Sequence, residues 1–369
     1  MTYEKKVTYD SAGVDYGQLD ALKRFAQKAA LETTDVLPNG ISDVPGSRGE
    51  SARVIDMGDH YLAVVEEGLG TKNLIADVVD PTGELSVYNG LAQDTVAMIV
   101  NDLITVGAKP ILVNAHWGFG SSRFLEQYPQ KGRDLARGWA DACIEAGALY
   151  AAGETPVLEG VIYPDAVELS GSAVGIIKPK ERLTLGEKIT SDDRIIFVKS
   201  NGIHANGLTL VRKISEELPE KYSTKLSDGR TLGEAMLQPT HIYAKLQQAI
   251  FEKNVDIHYM VNMTGHGWRK IMRAVRDFTY RISNIPLPQE EFIFIQQQAH
   301  LSDAEMYETF NMGAGFVFFV DRNDASCIMH EAQTLGYHSW DGGVVEEGPK
   351  QVIIEPKNII YHAESLNIR

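Results

Sequence analysis

Cysteine is scarce in this chain, with only Cys143 and Cys327 among 369 residues. Two thiols cannot build a disulfide framework, so a reducing compartment, the cytoplasm, is the expectation. Long apolar runs are missing as well. Nothing approaches the roughly 18 consecutive residues a membrane helix needs, and the opening MTYEKKVTYDSAG has no apolar centre of the kind a signal peptide carries. Basic residues are outnumbered, 35 Lys and Arg against 50 Asp and Glu, for a net charge of -15. That balance argues against general affinity for nucleic acid or an anionic membrane. Small anionic substrates stay open, because carboxylates can hold Mg²⁺ and a metal can bridge them to a phosphate. The chain also has no fixed-period repeat and no low-complexity tract.

What is present is ordinary for a soluble enzyme: 44% hydrophobic and 23% charged residues. The length exceeds what one core usually serves, which predicts two domains. In the first half, YLAVV (61–65), PILVNA (110–115), ALYAA (148–152) and VELSGSAVGII (167–177) have strand character. Residues 92–107 carry apolar side chains at helical spacing and close on Gly107, and 132–147 form a second helix closing on Gly147. The polar stretch KPKERLTLGEKITSDD (178–193) is a connector, which divides the chain into 1–177 and 178–369. DRIIFVKS then begins a second unit, with helices near 205–217, 231–253 and 265–276 and strands near 313–320 and 351–355. Both halves are α/β or α+β.

Five segments could carry chemistry. EEGLGTKNL (66–74) follows a strand, and its Gly68, Gly70, Thr71 and Lys72 could present backbone N–H groups and an ammonium to phosphate. It has neither the P-loop nor the dinucleotide-fold spacing, and an ordinary turn explains it equally. Asp94 and Asp102 project within about 80° of each other on one helix. Asp94 could simply cap that helix, whereas Asp102 sits deep in an apolar segment and needs a partner or a metal. Glu154, in AAGETP, stands at a strand end, where α/β folds place ligand-binding groups or merely turn. Glu67, Asp102 and Glu154, if they converge, would make an all-oxygen Mg²⁺ site for a nucleoside triphosphate. SNGIHANGLTLVRKI (200–214) offers a helix start and one imidazole, His204, suited to proton transfer or to a structural turn. MTGHGWRKI (263–271) is another glycine-rich helix start, followed by Arg269 and Lys270.

In order, these segments resemble the phosphoribosylformylglycinamidine cyclo-ligase (AIR synthase) family. The resemblance rests on YDSAGVD (9–15), GLGTK (68–72), DTVAMIVNDLITVGAKP (94–110), GET (153–155), SNGIHANGLTLVRKI, PTHIYAK (239–245) and EMYETFNMGAG (305–315), nearly the whole chain. It implies a two-domain AIR-synthase-like fold, whose N-terminal half pairs through strands in a homodimer and whose C-terminal half is an α/β domain. It implies ATP-dependent closure of formylglycinamidine ribonucleotide to aminoimidazole ribonucleotide through an iminophosphate, in purine biosynthesis. ATP and Mg²⁺ are the implied cofactors, and a small ribonucleotide is the implied partner. Carried over by position, Glu67, Gly68, Gly70, Thr71, Lys72, Asp94 and Asn101 would hold nucleotide. Glu67, Asp94, Asp102 and Glu154 would hold metal, and His204, Lys72 and Asn206 would act in catalysis.

Departures from the family pattern cluster in ligand-facing segments. Glu66 and Glu67 replace Thr and Asp of T-D-G-V-G-T-K, and Ala205 replaces a serine. NAHWG loses a carboxylate at Ala115, and TGHGW puts His266 in a glycine run. PVLEG (156–160) replaces A-E-M-P-G, and PGSRGESA (45–52) replaces a run of glycines. Such a pattern suits a divergent member of the pathway. It also suits a relative that keeps ATP-dependent phosphorylation and takes another small substrate.

Overall fold

The computed structural model describes residues 16–366, so the YDSAGVD segment at 9–15 lies outside the described residues. Two sheets organise the chain. The first contains β1 (Ser42–Asp43), β2 (Arg53–Asp56), β3 (Tyr61–Gly68), β4 (Lys109–Phe119), β5 (Leu149–Glu154) and β6 (Val167–Ile177), in the order β1-β2-β3-β6-β4-β5. Only the β4–β5 pairing is parallel. The second contains β7 (Arg194–Lys199), β8 (Ile257–Asn262), β9 (Thr279–Ile282), β10 (Ala314–Val320), β11 (Ser339–Glu346), β12 (Gln351–Ile354) and β13 (Ile359–His362), in the order β13-β12-β9-β11-β7-β10-β8. Here only β12–β9 is parallel. The 178–193 stretch lies between the two sheets.

The helices are α1 (Tyr16–Leu31), α2 (Lys72–Val79), α3 (Val87–Ile104), α4 (Arg123–Gln127), α5 (Pro129–Ala146), α6 (Leu208–Glu217), α7 (Leu232–Met236), α8 (Ala244–Glu252), α9 (Glu290–Ala299), α10 (Asp303–Thr309) and α11 (Ala325–Thr334). Among the described residues no helix is long and apolar enough to cross a membrane. The axis of the molecule is α3. It is apolar almost all round, as a helix covered on every side must be. One continuous core joins Val96, Ile99, Val100 and Leu103 of α3 to Ala63, Val113 and Ala173 of the first sheet, and to Val198, Tyr243 and Phe316 of the second half. The first sheet alternates buried and half-buried residues. Its face away from α3 carries Leu62, Val64, Leu112, Val174 and Ile176, all half-buried.

Three expectations are corrected. The helix near 231–253 is two helices, α7 and α8, because Pro239 interrupts it and constrains the residue before it. The helix near 205–217 starts only at Leu208, after His204 and Gly207 both take left-handed backbone. The helix near 265–276 is a six-residue 3₁₀ stretch, Gly267–Met272. Gly267 takes φ +52°, and a Cβ there would meet the Tyr307 carbonyl oxygen at 2.3 Å, so only glycine lets this turn lie against α10.

Candidate active site

A cleft of about 360 Å³ opens where the two halves meet. From the first half it receives Glu67 at the end of β3, Met98 and Asp102 of α3, and Gly49 and Glu50 of the preceding loop. From the second it receives Asn206 and the 264–273 turn, with Thr264, His266, Lys270 and Arg273. Lys23 and Gln27 of α1, one helical turn apart, complete the rim.

Asp102 is buried, at 6% exposure, and is held by Asn262 of β8, whose side-chain N–H donates to Oδ1 at 2.7 Å. Glu67 lies close enough to feel its charge. Burial first, and then Asp102, push the Glu67 carboxyl up to about 7. Lys270 is 5% exposed and donates to Thr264 Oγ1 at 2.6 Å. Burial brings its ammonium down to about 8, against the pull of Asp102. Arg273 donates to the Gly49 carbonyl at 2.9 Å and to Ser51 Oγ at 2.6 Å, which fixes the 49–51 loop over the cleft.

Of the four expected metal ligands, the chain brings together two. Asp94 is fully buried, two turns before Asp102, and pairs with Lys72 at 2.7 Å. It also accepts from Thr240 N at 2.8 Å and Thr240 Oγ1 at 2.5 Å. Its charge is spent inside the protein. Glu154 ends the edge strand β5, opposite His116, and is exposed; its strand lies three places from β3 in the sheet. Among the described residues no group of three or more His, Cys, Asp or Glu side chains is set to hold a metal. Glu67 and Asp102 do fit Mg²⁺ of the kind that takes one or two carboxylates and fills its remaining positions with water and substrate phosphate.

The expected phosphate lysine also turns inward. Lys72 is 0% exposed, and its Nζ donates to the Gln238 carbonyl at 2.9 Å besides pairing with Asp94. The glycine turn is therefore a bend, with Gly70 at φ +76° taking β3 into α2 and Thr71 standing at the helix start. Neither Gly68, Gly70 nor Thr71 lines the cleft. Asn101 is likewise committed to structure: its amide donates to the His241 carbonyl at 2.8 Å and accepts from Tyr243 N at 2.9 Å.

His204 is 2% exposed, with Nε2 3.1 Å from Asn201 Oδ1. Burial, and then the charges of His241 and Lys72, hold its basicity well below the ordinary value, so it is neutral at pH 7. It does not line the cleft, whereas Asn206, two residues on, does. The imidazole that faces the cleft is His266, at φ +71°. Sequence reasoning did not single out Glu50 or Arg273; Thr264 and Lys270 belong to the MTGHGWRKI segment, which was singled out only as a possible anion-binding helix start. The basic pair Arg269–Lys270 was the available signal, and the turn separates the two. Arg269 leaves for Glu308 at 2.7 Å and the Ser365 carbonyl at 2.8 Å, while Lys270 goes into the cleft.

Residues 49–177 match the family "AIR synthase related protein, N-terminal domain", and residues 190–355 match "AIR synthase related protein, C-terminal domain". The chain is 31% identical over 326 residues to the phosphoribosylformylglycinamidine cyclo-ligase of Methanocaldococcus jannaschii, covering 88% of this chain and 87% of that one. It is 32% identical over 348 residues to the enzyme of that name from Pyrococcus furiosus, covering 94% and 97%. For the one from Carboxydothermus hydrogenoformans the figures are 32% over 357 residues, covering 95% and 99%. Among solved structures, the hydrogenase maturation protein HypE in complex with ATP superposes with a TM-score of 0.55 at 17% identity, covering 79% of this chain and 81% of that one. AaThiL complexed with AMPPCP and TMP gives 0.58 at 13%, covering 94% of each chain. At these identities the likeness is one of fold.

Proposed function

The chain belongs to the AIR synthase family, and from that premise we propose that it is an ATP-dependent phosphoribosylformylglycinamidine cyclo-ligase of purine biosynthesis. The observation that carries this reading is the match to cyclo-ligases at 31–32% identity along almost their full length. In the reaction, the formyl amide oxygen of formylglycinamidine ribonucleotide bonds to the γ-phosphorus of ATP as the bridge to ADP breaks. The substrate's own nitrogen then attacks the activated carbon, phosphate leaves with the oxygen, and a proton is lost as the imidazole ring closes.

Such chemistry asks a protein to position groups and to balance charge. Glu67 and Asp102 would hold Mg²⁺, which when bound offsets charge on the phosphoryl group being transferred. Asn262 keeps the Asp102 carboxylate aimed by donating to one oxygen. Asn206 offers the cleft both an amide donor and a carbonyl acceptor, suited to holding the amidine of a flexible substrate. His266 faces the cleft and is better placed than His204 to take the ring-closing proton. The 49–51 loop, fixed by Arg273, helps exclude water.

A homodimer formed through the first sheet suits the half-buried apolar face of β3, β4 and β6, which a second copy would cover. A cytoplasmic setting suits a chain with two cysteines, neither of them in a disulfide. The test is to supply Mg-ATP and formylglycinamidine ribonucleotide and follow ADP together with the aminoimidazole product. Equimolar ADP and ring product are expected. ADP formed only with some other acceptor, and no ring product, would move the chain to a different substrate on the same fold.

A further inference from the structure

The cleft holds a buried cation that the reading above leaves without a task. Lys270 is 5% exposed, and among the described residues its ammonium makes one hydrogen bond, to Thr264 Oγ1 at 2.6 Å, and no ion pair. An ammonium has three protons to donate, so two remain for further partners. Burying an incompletely paired ammonium is costly unless something nearby offsets its charge. The offset comes from Glu67 and Asp102, which share its cleft without touching it. Arg273 and Lys23 add positive charge to the same walls, and Glu50 adds negative.

This is a balanced set when empty. Placing a phosphate beside Glu67 and Asp102 would set anion against anion, and placing a divalent cation there would set it against Lys270. The two ligands together restore the balance. We propose that Lys270 changes partners: it is the counterion of the Glu67–Asp102 pair in the empty cleft, and it binds a phosphoryl oxygen once a divalent cation has taken over those carboxylates. The proposal rests on the metal-dependent phosphoryl-transfer reading, and it assigns Lys270 to direct contact with the group being transferred. Its geometry suits that contact. The six-residue turn that carries it is fixed by Gly267 against the Tyr307 carbonyl at one end and by Arg273 to the 49–51 loop at the other.

The partner exchange predicts effects of opposite sign from one substitution, which a merely structural role would not give. In Lys270→Met, Mn²⁺ measured alone by titration calorimetry should bind several-fold more tightly, because a nearby like charge is gone. Inorganic phosphate, titrated into protein saturated with Mg²⁺ and ADP, should bind about tenfold more weakly, because a charge-assisted hydrogen bond is lost. In the unaltered protein, phosphate binding should require the metal. Lys270→Arg keeps the charge, so it should bind Mn²⁺ as the unaltered protein does and retain part of the phosphate affinity. If Lys270→Met does not fold, Lys270→Gln, which removes the charge and keeps a polar side chain, provides the same two readings. Metal and phosphate affinities that fall together, or neither changing, would overturn the proposal, as would metal-independent phosphate binding. None of these readings uses turnover, so a protein that fails to close the imidazole ring but shows the opposed shifts refutes only the cyclo-ligase reading.

Discussion

The ion pair between Lys72 and Asp94 gives the sharpest test of which way the glycine turn faces. Both side chains are 0% exposed and 2.7 Å apart. They also join the halves of the molecule, since Lys72 donates to the Gln238 carbonyl and Asp94 accepts twice from Thr240. Changing Lys72 to Met leaves a buried carboxylate with only its Thr240 donors, and changing Asp94 to Asn leaves a buried ammonium with one carbonyl. Removing one partner of such a pair costs about 3–5 kcal/mol, whereas replacing both by groups without charge is close to neutral. At roughly 2–4 °C per kcal/mol, each single variant should melt roughly 6 to 20 °C below the parent. The double variant K72M/D94N should recover most of that loss, giving a large favourable coupling in the cycle. Calorimetric melting of the four proteins, with ADP affinity measured well below the transitions, decides the matter. If Lys72 held phosphate, Lys72→Met would melt with the parent and bind nucleotide poorly. That result would refute the inward placement and everything drawn from it.

Asp102→Asn should lower turnover about 10² or more while leaving the melting temperature within a few degrees, because the amide still fills the space beside Asn262; near-normal turnover would remove Asp102 from the site. His258, 2.7 Å from Asp193, has its basicity raised by that hydrogen bond against the opposing effect of burial, with Asp256 adding to the rise and Lys188 opposing it. A raised folded-state value means stability that is full below the unfolded value of about 6.5 and is lost as pH climbs through the folded value. The melting difference between the parent and His258→Gln should therefore be largest at acid pH and shrink towards pH 8, and a difference that grows with pH would contradict the assignment. Gly267→Ala should destabilise the chain and weaken phosphate binding together, because the Cβ would meet the Tyr307 carbonyl at 2.3 Å and push the Lys270 turn out of place.

The elements that sequence alone revealed are those with a clean apolar period. YLAVV, PILVNA, VELSGSAVGII and all of ALYAA but its first residue lie in strands, and the helix expected at 92–107 is α3, begun five residues earlier at Val87. Short strands of mixed character, such as β8 (IHYMVN) and β9 (TYRI), gave no comparable signal, because a period of two needs several repeats to stand out. The site was half legible for a related reason. Local pattern can say that a charge such as Asp94 or Asp102 lies on the buried part of a helix, but not what meets it there. The Asp94 partners come from α2 and from Thr240, and the Asp102 partner comes from β8. Those contacts exist only once the halves close on α3. Glu154 shows the limit of register: a strand end places a carboxylate at one edge of the sheet, while strand order decides how far along that edge it stands.

The departures from the family pattern become coherent when placed in space. Glu67, His266 and the 45–52 loop, far apart in sequence, meet at one cleft, the loop through Gly49 and Glu50. Ala115 sits elsewhere, packed in the core of β4, and Val157 of the 156–160 segment lines a separate apolar hollow beside Trp117. Independent drift would leave each altered position to be accommodated by its own surroundings. Here three of the altered segments share one cleft with a common set of cations instead. Arg273 holds the loop that carries Glu50, and Lys270 lies opposite Glu67 and Asp102. Glu67 and Glu50 bring negative charge into this cleft. Lys270, Arg273 and Lys23 bring the positive charge that makes this tolerable. The cleft therefore holds one charge balance, and a substitution that alters one member is expected to act through the others.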